Sequence, residues 1–115
     1  MSAFRFDCVY YHVSDLDRAI AFYTSVLGFR LSSRDAVARF HVDGVLVELV
    51  PTDQPALLAG RGNARLALEV DDLAAALERL RGKGVRASDV RAVANGRIAS
   101  LYDPDGNEIS LWQYA

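Results

Sequence analysis

Two ionisable side chains occupy the same place in a stretch that occurs twice in this chain. His12-Val-Ser-Asp-Leu-Asp-Arg-Ala19 returns as Glu69-Val-Asp-Asp-Leu-Ala-Ala-Ala76, 57 residues further along a sequence of 115. Imidazole and carboxylate groups can both bind a divalent metal or carry a proton, so His12 and Glu69 are the first candidates for chemistry. Each copy runs strand, Asp-Leu turn, amphipathic helix, Gly, then further strands. Two copies of one unit predict a pseudo-symmetric body in which matching residues meet across a shared cavity.

The elements that must position these residues follow from local pattern. Residues 4–14 are rich in Tyr, Val and Phe and predict a strand. Ser14 or Asp15 then caps a helix over 15–27, whose apolar stripe is Leu16, Ile20, Tyr23 and Leu27 and whose stop is Gly28. Strands follow over 29–35, 37–43 and 45–50, with Asp43-Gly44 as a tight hairpin turn. Residues 51–63 hold two prolines and two glycines and predict a linker. The second copy predicts a strand over 65–71, a helix over 72–82 capped by Asp71 or Asp72, and strands over 85–93, 97–102 and 108–114. Asp103-Pro-Asp-Gly-Asn107 is a turn before the last strand. The fold class is therefore α+β, with βαβββ occurring twice. One domain over 1–115 divides into repeat one (4–50), a linker (51–63) and repeat two (64–115).

Composition narrows the function classes. With 51% hydrophobic residues the chain can bury one core, and no apolar run approaches the roughly 20 residues of a membrane helix. Met1 to Phe6 is too short and mixed for a signal peptide. The net charge of -2 is scattered without basic runs, which argues against nucleic acid and anionic membranes as partners. Cys8 is the only cysteine, so an intrachain disulfide is ruled out and the expected location is the cytoplasm.

The stretch from His12 to Tyr23, the segment Val26-Leu-Gly-Phe29, the segment Leu68-Glu-Val-Asp-Asp-Leu73 and the turn Asp103 to Asn107 together resemble the vicinal oxygen chelate superfamily. That group holds glyoxalases, extradiol dioxygenases and bleomycin-resistance proteins. The resemblance spans essentially the whole chain and implies curved sheets from paired βαβββ units around a cleft that usually holds a divalent metal. It also implies metal ligands on the first and last strand of each unit. These fall on His12, Glu48 and Glu69, with Ser110 where the pattern usually has Glu; at Glu69 metal-dependent members often have His. A His-Glu-Glu set with water would suit Mn, Fe, Ni or Zn.

Strand alternation checks these positions independently, since side chains two apart share a face. Tyr10 and Cys8 go with His12, Leu46 and Val50 with Glu48, Arg65 and Ala67 with Glu69, and Glu108 and Trp112 with Ser110. The expected substrate pocket is Tyr10, Leu46, Arg65, Ser110 and Trp112 around the three ligands. Simpler roles compete at each place. Glu48 could be the solvent side of an alternating strand, and Glu69 could pair with Arg65 on its own strand. Cys8 reads as a small buried hydrophobe, Tyr23 as core and His41 as structural; Asp15, Asp71 and Asp72 read as helix caps.

The leading expectation is a small metal-dependent enzyme of the glyoxalase or dioxygenase type acting on a small oxygenated metabolite. His12, Glu48 and Glu69 would be ligands, and Glu48 or Glu69 would double as general base. The alternative is a metal-free ligand-sequestering protein of the bleomycin-resistance type. There Trp112 and Tyr10 would stack on the ligand, while Glu48, Glu69 and Glu108 would attract a cation. In both cases the partner is a small molecule and the expected assembly is a homodimer.

Overall fold

The computed structural model describes residues 5–58 and 65–115. They form two compact units, Met1–Pro55 and Ala56–Ala115. In the first, β1 (Val9–Val13) leads through helix α1 (Leu16–Ala21) to β2 (Leu31–Arg34), β3 (Ala38–Val42) and β4 (Val45–Pro51). In the second, β5 (Leu66–Glu69) leads through α2 (Leu73–Gly82) to β6 (Arg91–Val93), β7 (Gly96–Tyr102) and β8 (Glu108–Tyr114). The sheet orders are β1-β4-β3-β2 and β5-β8-β7-β6, so both units have the same topology and the α+β, twice-βαβββ expectation holds. The first strand of each unit lies parallel to the last, and the remaining neighbours are antiparallel.

Local chemistry explains the boundaries. Asp15 Oδ1 accepts from the Arg18 backbone N–H at 3.1 Å, and Asp72 Oδ1 from that of Ala75 at 3.0 Å, so these two of the candidate Asp residues are the caps. The α2 N-terminus gains a second acceptor, Gln113 Oε1, 2.8 Å from the Leu73 N–H. At the other end Gly84 takes φ 78° and Val85 N–H returns to Leu80 O at 3.1 Å, a Schellman closure. Asp43 and Gly44, at φ 51° and 82°, make the left-handed pair that a two-residue hairpin needs.

Four expectations are corrected. Helix 15–27 is not α throughout: Phe22–Val26 is a π-helical turn, and its extra residue rotates Phe22 and Tyr23 together into the core. The buried stripe is accordingly Ala19, Phe22 and Tyr23, while Leu16 and Ile20 stay half-buried. The strand expected over 85–93 shrinks to Arg91–Val93 plus a single bridge from Ala87 to Leu101. The first strand starts at Val9 rather than at Phe4, and Phe4 lies outside the described residues. The expected linker, in part outside them too, begins with the last residue of β4 and includes a short 3-10 turn, Pro55–Leu57.

Each unit packs the helix-facing side of its own sheet. Unit one buries Val13, Tyr23, Phe40, Val47 and Leu49 completely, with Tyr23 and Phe29 against Phe40 at 6.0 and 6.2 Å between ring centroids. Unit two buries Leu73, Leu77, Leu101 and Ile109 in the same way. The period-two pattern therefore leaves the polar side chains of both sheets on the opposite face.

Candidate functional site

On that opposite face of unit one, Tyr10, Glu48, Arg39 and Ser33 form a cross-strand row. His12 lies one step along β1, its ring edge-on to Tyr10 at 5.5 Å and its Nδ1 shut off from solvent. Leu46 is half-buried and opposes His41. The Glu48 carboxylate is occupied from both sides. Oε2 accepts from Arg39 Nε at 3.1 Å, and the Cys8 thiol points to Oε1 at 3.9 Å. Arg39 is held in turn by Asp35 Oδ2 at 3.1 Å. Burial, then the carboxylates of Glu48 and Asp7, push the Cys8 thiol above its ordinary pKa. Cys8 is therefore half-buried beside a charge rather than enclosed among hydrophobes.

Unit two carries a different arrangement on the same face. Glu69, Trp112, Ile98 and Arg91 form one row across all four strands. Beside it, Ala67, Ser110 and Ser100 form a row of small side chains, and Ser110 is buried. Arg65 pairs with Glu108 at 3.1 Å, not with Glu69. Glu108 Oε2 also accepts from the Ser100 hydroxyl at 2.7 Å. Ser100 first, then Arg65, hold the Glu108 carboxyl below its ordinary pKa against the opposing effect of burial. Trp112 stacks on Tyr114 at 5.7 Å, with 18° between the ring planes.

His12 and Glu48 thus share one face of unit one, while Glu69, Ser110, Arg65 and Trp112 share one face of unit two. Arg39 is a residue of this face that no sequence motif marks. Period-two alternation on β3 would have found it, because Ala38 and Phe40 are core and Arg39 and His41 must oppose them. Arg91 and the Ser100–Glu108 contact carry no local sequence signal, being set by cross-strand register. Glu48 and Glu108, two of the carboxylates expected to attract a cation, each stand 3.1 Å from a guanidinium.

Within either unit, no three His, Cys, Asp or Glu side chains among the described residues are grouped to hold a metal ion. A cation approaching Glu48 must compete with Arg39, and Ser110 offers a neutral hydroxyl where a fourth carboxylate would stand. Of the four places the resemblance implies, His12, Glu48 and Glu69 carry donor groups and Ser110 a neutral hydroxyl.

A sequence model of the glyoxalase/bleomycin resistance protein/dioxygenase superfamily matches residues 5–111. The chain belongs to this superfamily. Within it, a lactoylglutathione lyase of Salmonella typhimurium is 32% identical over 114 residues, covering 86% of this chain and 84% of that protein. The antibiotic binding protein TnmS3 of Streptomyces sp. CB03234 is 30% identical, with a TM-score of 0.79 over 100% of this chain and 99% of its own. The fosfomycin resistance protein FosX of Listeria monocytogenes, crystallised with Mn(II) and sulfate, has a TM-score of 0.81 over 100% of this chain and 93% of its own. At 19% identity that likeness speaks to the fold alone. Among the described residues no helix is long and apolar enough to cross a membrane.

Proposed function

We propose that this superfamily member is a metal-free protein that binds a small molecule on the polar faces of its sheets, in the manner of a bleomycin-resistance protein. The observation that carries this reading is the Arg39–Glu48 ion pair. It occupies the carboxylate that a metal centre would need, and Ser110 leaves the fourth place without a charge. The faces offer instead what a small-molecule site needs, aromatic surface with a few fixed polar groups. Tyr10 is 55% exposed, Trp112 is partly exposed beside Tyr114, and Glu48 and Glu108 are each held in place by an arginine. The likeness to TnmS3 over the full chain supports the same reading.

The metal-dependent enzyme is the second reading. It is favoured by His12 and Glu48 lying on one face and by the likeness to lactoylglutathione lyase. In that reading His12, Glu48 and Glu69 converge on one ion, and Glu48 or Glu69 serves as general base.

Elemental analysis of untagged protein purified without chelator separates the two. Metal well below one equivalent, unchanged by His12→Ala, supports the binder; near-stoichiometric metal lost in His12→Ala overturns it. Both readings take the two units as one working domain and a homodimer as the assembly. Light scattering at tens of micromolar, roughly the range where a stable interface is saturated, checks the latter and would oppose it by showing a monomer.

A further inference from the structure

Unit two contains a cavity of about 270 Å³ lined by Ser88, Asp89, Arg91, Ile98, Ser100 and Glu108. Its ionisable lining groups are Asp89, Glu108 and Arg91. Glu108 is neutralised by Arg65, and Asp89 is a fully exposed rim residue that lies 4.0 Å from Arg81. Arg91 has no acidic partner among the described residues. The hydroxyl protons are also committed: Ser100 donates to Glu108, and Ser88 donates to the Asp89 carbonyl at 3.1 Å. Arg91 is thus the lining side chain left to donate, and it has no ion-pair partner among the described residues. Arg91 and Ile98 are directly paired, and Ile98 is paired with Trp112 on its other side. A guanidinium, an aliphatic surface and an indole therefore succeed one another along a single row.

Resting on the ligand-binding reading above, we propose that this cavity selects a small organic anion with an apolar body. Its carboxylate or phosphonate group meets Arg91, and its body lies over Ile98 toward Trp112. A guanidinium fork matches either anion by two parallel hydrogen bonds. Glu108, already paired with Arg65 and Ser100, offers no free donor to a second negative group. The ligand thereby carries its charge at one end.

Trp112, the only tryptophan, reports the test. Its fluorescence is followed while the full chain is titrated with benzoate, phenylphosphonate, benzyl alcohol or benzylamine. The expected result is saturable quenching by benzoate or phenylphosphonate, at least about tenfold tighter than by the alcohol or the amine, the scale of one charge-assisted contact. Arg91→Ala removes that preference, and Arg91→Lys restores part of it. Arg91 is exposed on a strand at the sheet's end, so both variants keep the wild-type circular dichroism. Equal or tighter binding of the alcohol or amine overturns the anion inference while leaving the ligand-binding reading intact. So does an anion preference that survives Arg91→Ala. No saturable binding of either anion also overturns it. Stoichiometric metal would overturn the ligand-binding reading without touching the benzoate result.

Discussion

Arg39 Nε stands 3.1 Å from Glu48 Oε2, directly across the strand pair that joins β3 to β4. The guanidinium neutralises the carboxylate that an incoming cation would use. Arg39→Ala should therefore raise the affinity for Ni²⁺ or Zn²⁺ above that of the wild type in a calorimetric titration. The loss of a partly exposed ion pair should cost only about 1 kcal/mol of stability. Unchanged cation affinity would show that the pair does not guard Glu48.

The Cys8 thiol faces the other oxygen of the same carboxylate. Its raised pKa leaves less thiolate at any given pH, so alkylation by iodoacetamide at pH 8 should run slower than for a free cysteine. Glu48→Gln removes a neighbouring negative charge and should speed the reaction. A slower or unchanged rate in Glu48→Gln would disprove the contact.

The depressed pKa of Glu108 sets a pH window. A carboxyl whose pKa is lower in the folded chain than in the unfolded one contributes stability above the unfolded value, near 4.5. That contribution is lost as pH falls through the folded value. Wild-type melting temperature should therefore drop as the pH falls below about 4.5, and Glu108→Gln should flatten part of that slope. Ser100→Ala should do the same more weakly. Parallel slopes in wild type and Glu108→Gln would refute the assignment.

Gly96 has φ 149°, and a Cβ placed on it would lie 2.0 Å from the Gln113 backbone oxygen. Backbone cannot swing aside as a side-chain tip can. Gly96→Ala should destabilise by at least about 2 kcal/mol in urea unfolding, because strand β7 must move away from β8. A change within about 0.5 kcal/mol, the ordinary surface value, would contradict this packing.

Much of the fold could be read in the sequence because its signals are local. Gly28, the Asp43-Gly44 turn and the turn at Asp103–Asn107 are each specified by a few neighbouring residues. In that last turn the buried Asp103 carboxylate binds the Asp105 and Asn107 N–H groups at 2.9 Å each. The π-helical turn was not legible, since one extra residue leaves composition unchanged and only shifts which side chains turn inward. The site was half legible. Alternation put His12, Glu48, Glu69 and Ser110 on the polar faces, but it does not report partners across strands. That is why Arg39 on Glu48, Arg65 on Glu108 and the isolated Arg91 emerge only from register.

The parallel pairing of β1 with β4, and of β5 with β8, has a kinetic consequence. The β3–β4 and β7–β8 ladders join neighbouring segments and need only short loops closed. Each parallel ladder must wait until the chain has passed through a helix and two further strands, a larger loop-closure cost. The opening strand of each unit is thus expected to dock last, which pulse-labelled amide exchange during refolding would check. His12 and Glu69 both ride on these opening strands, so this order would bring them into place last.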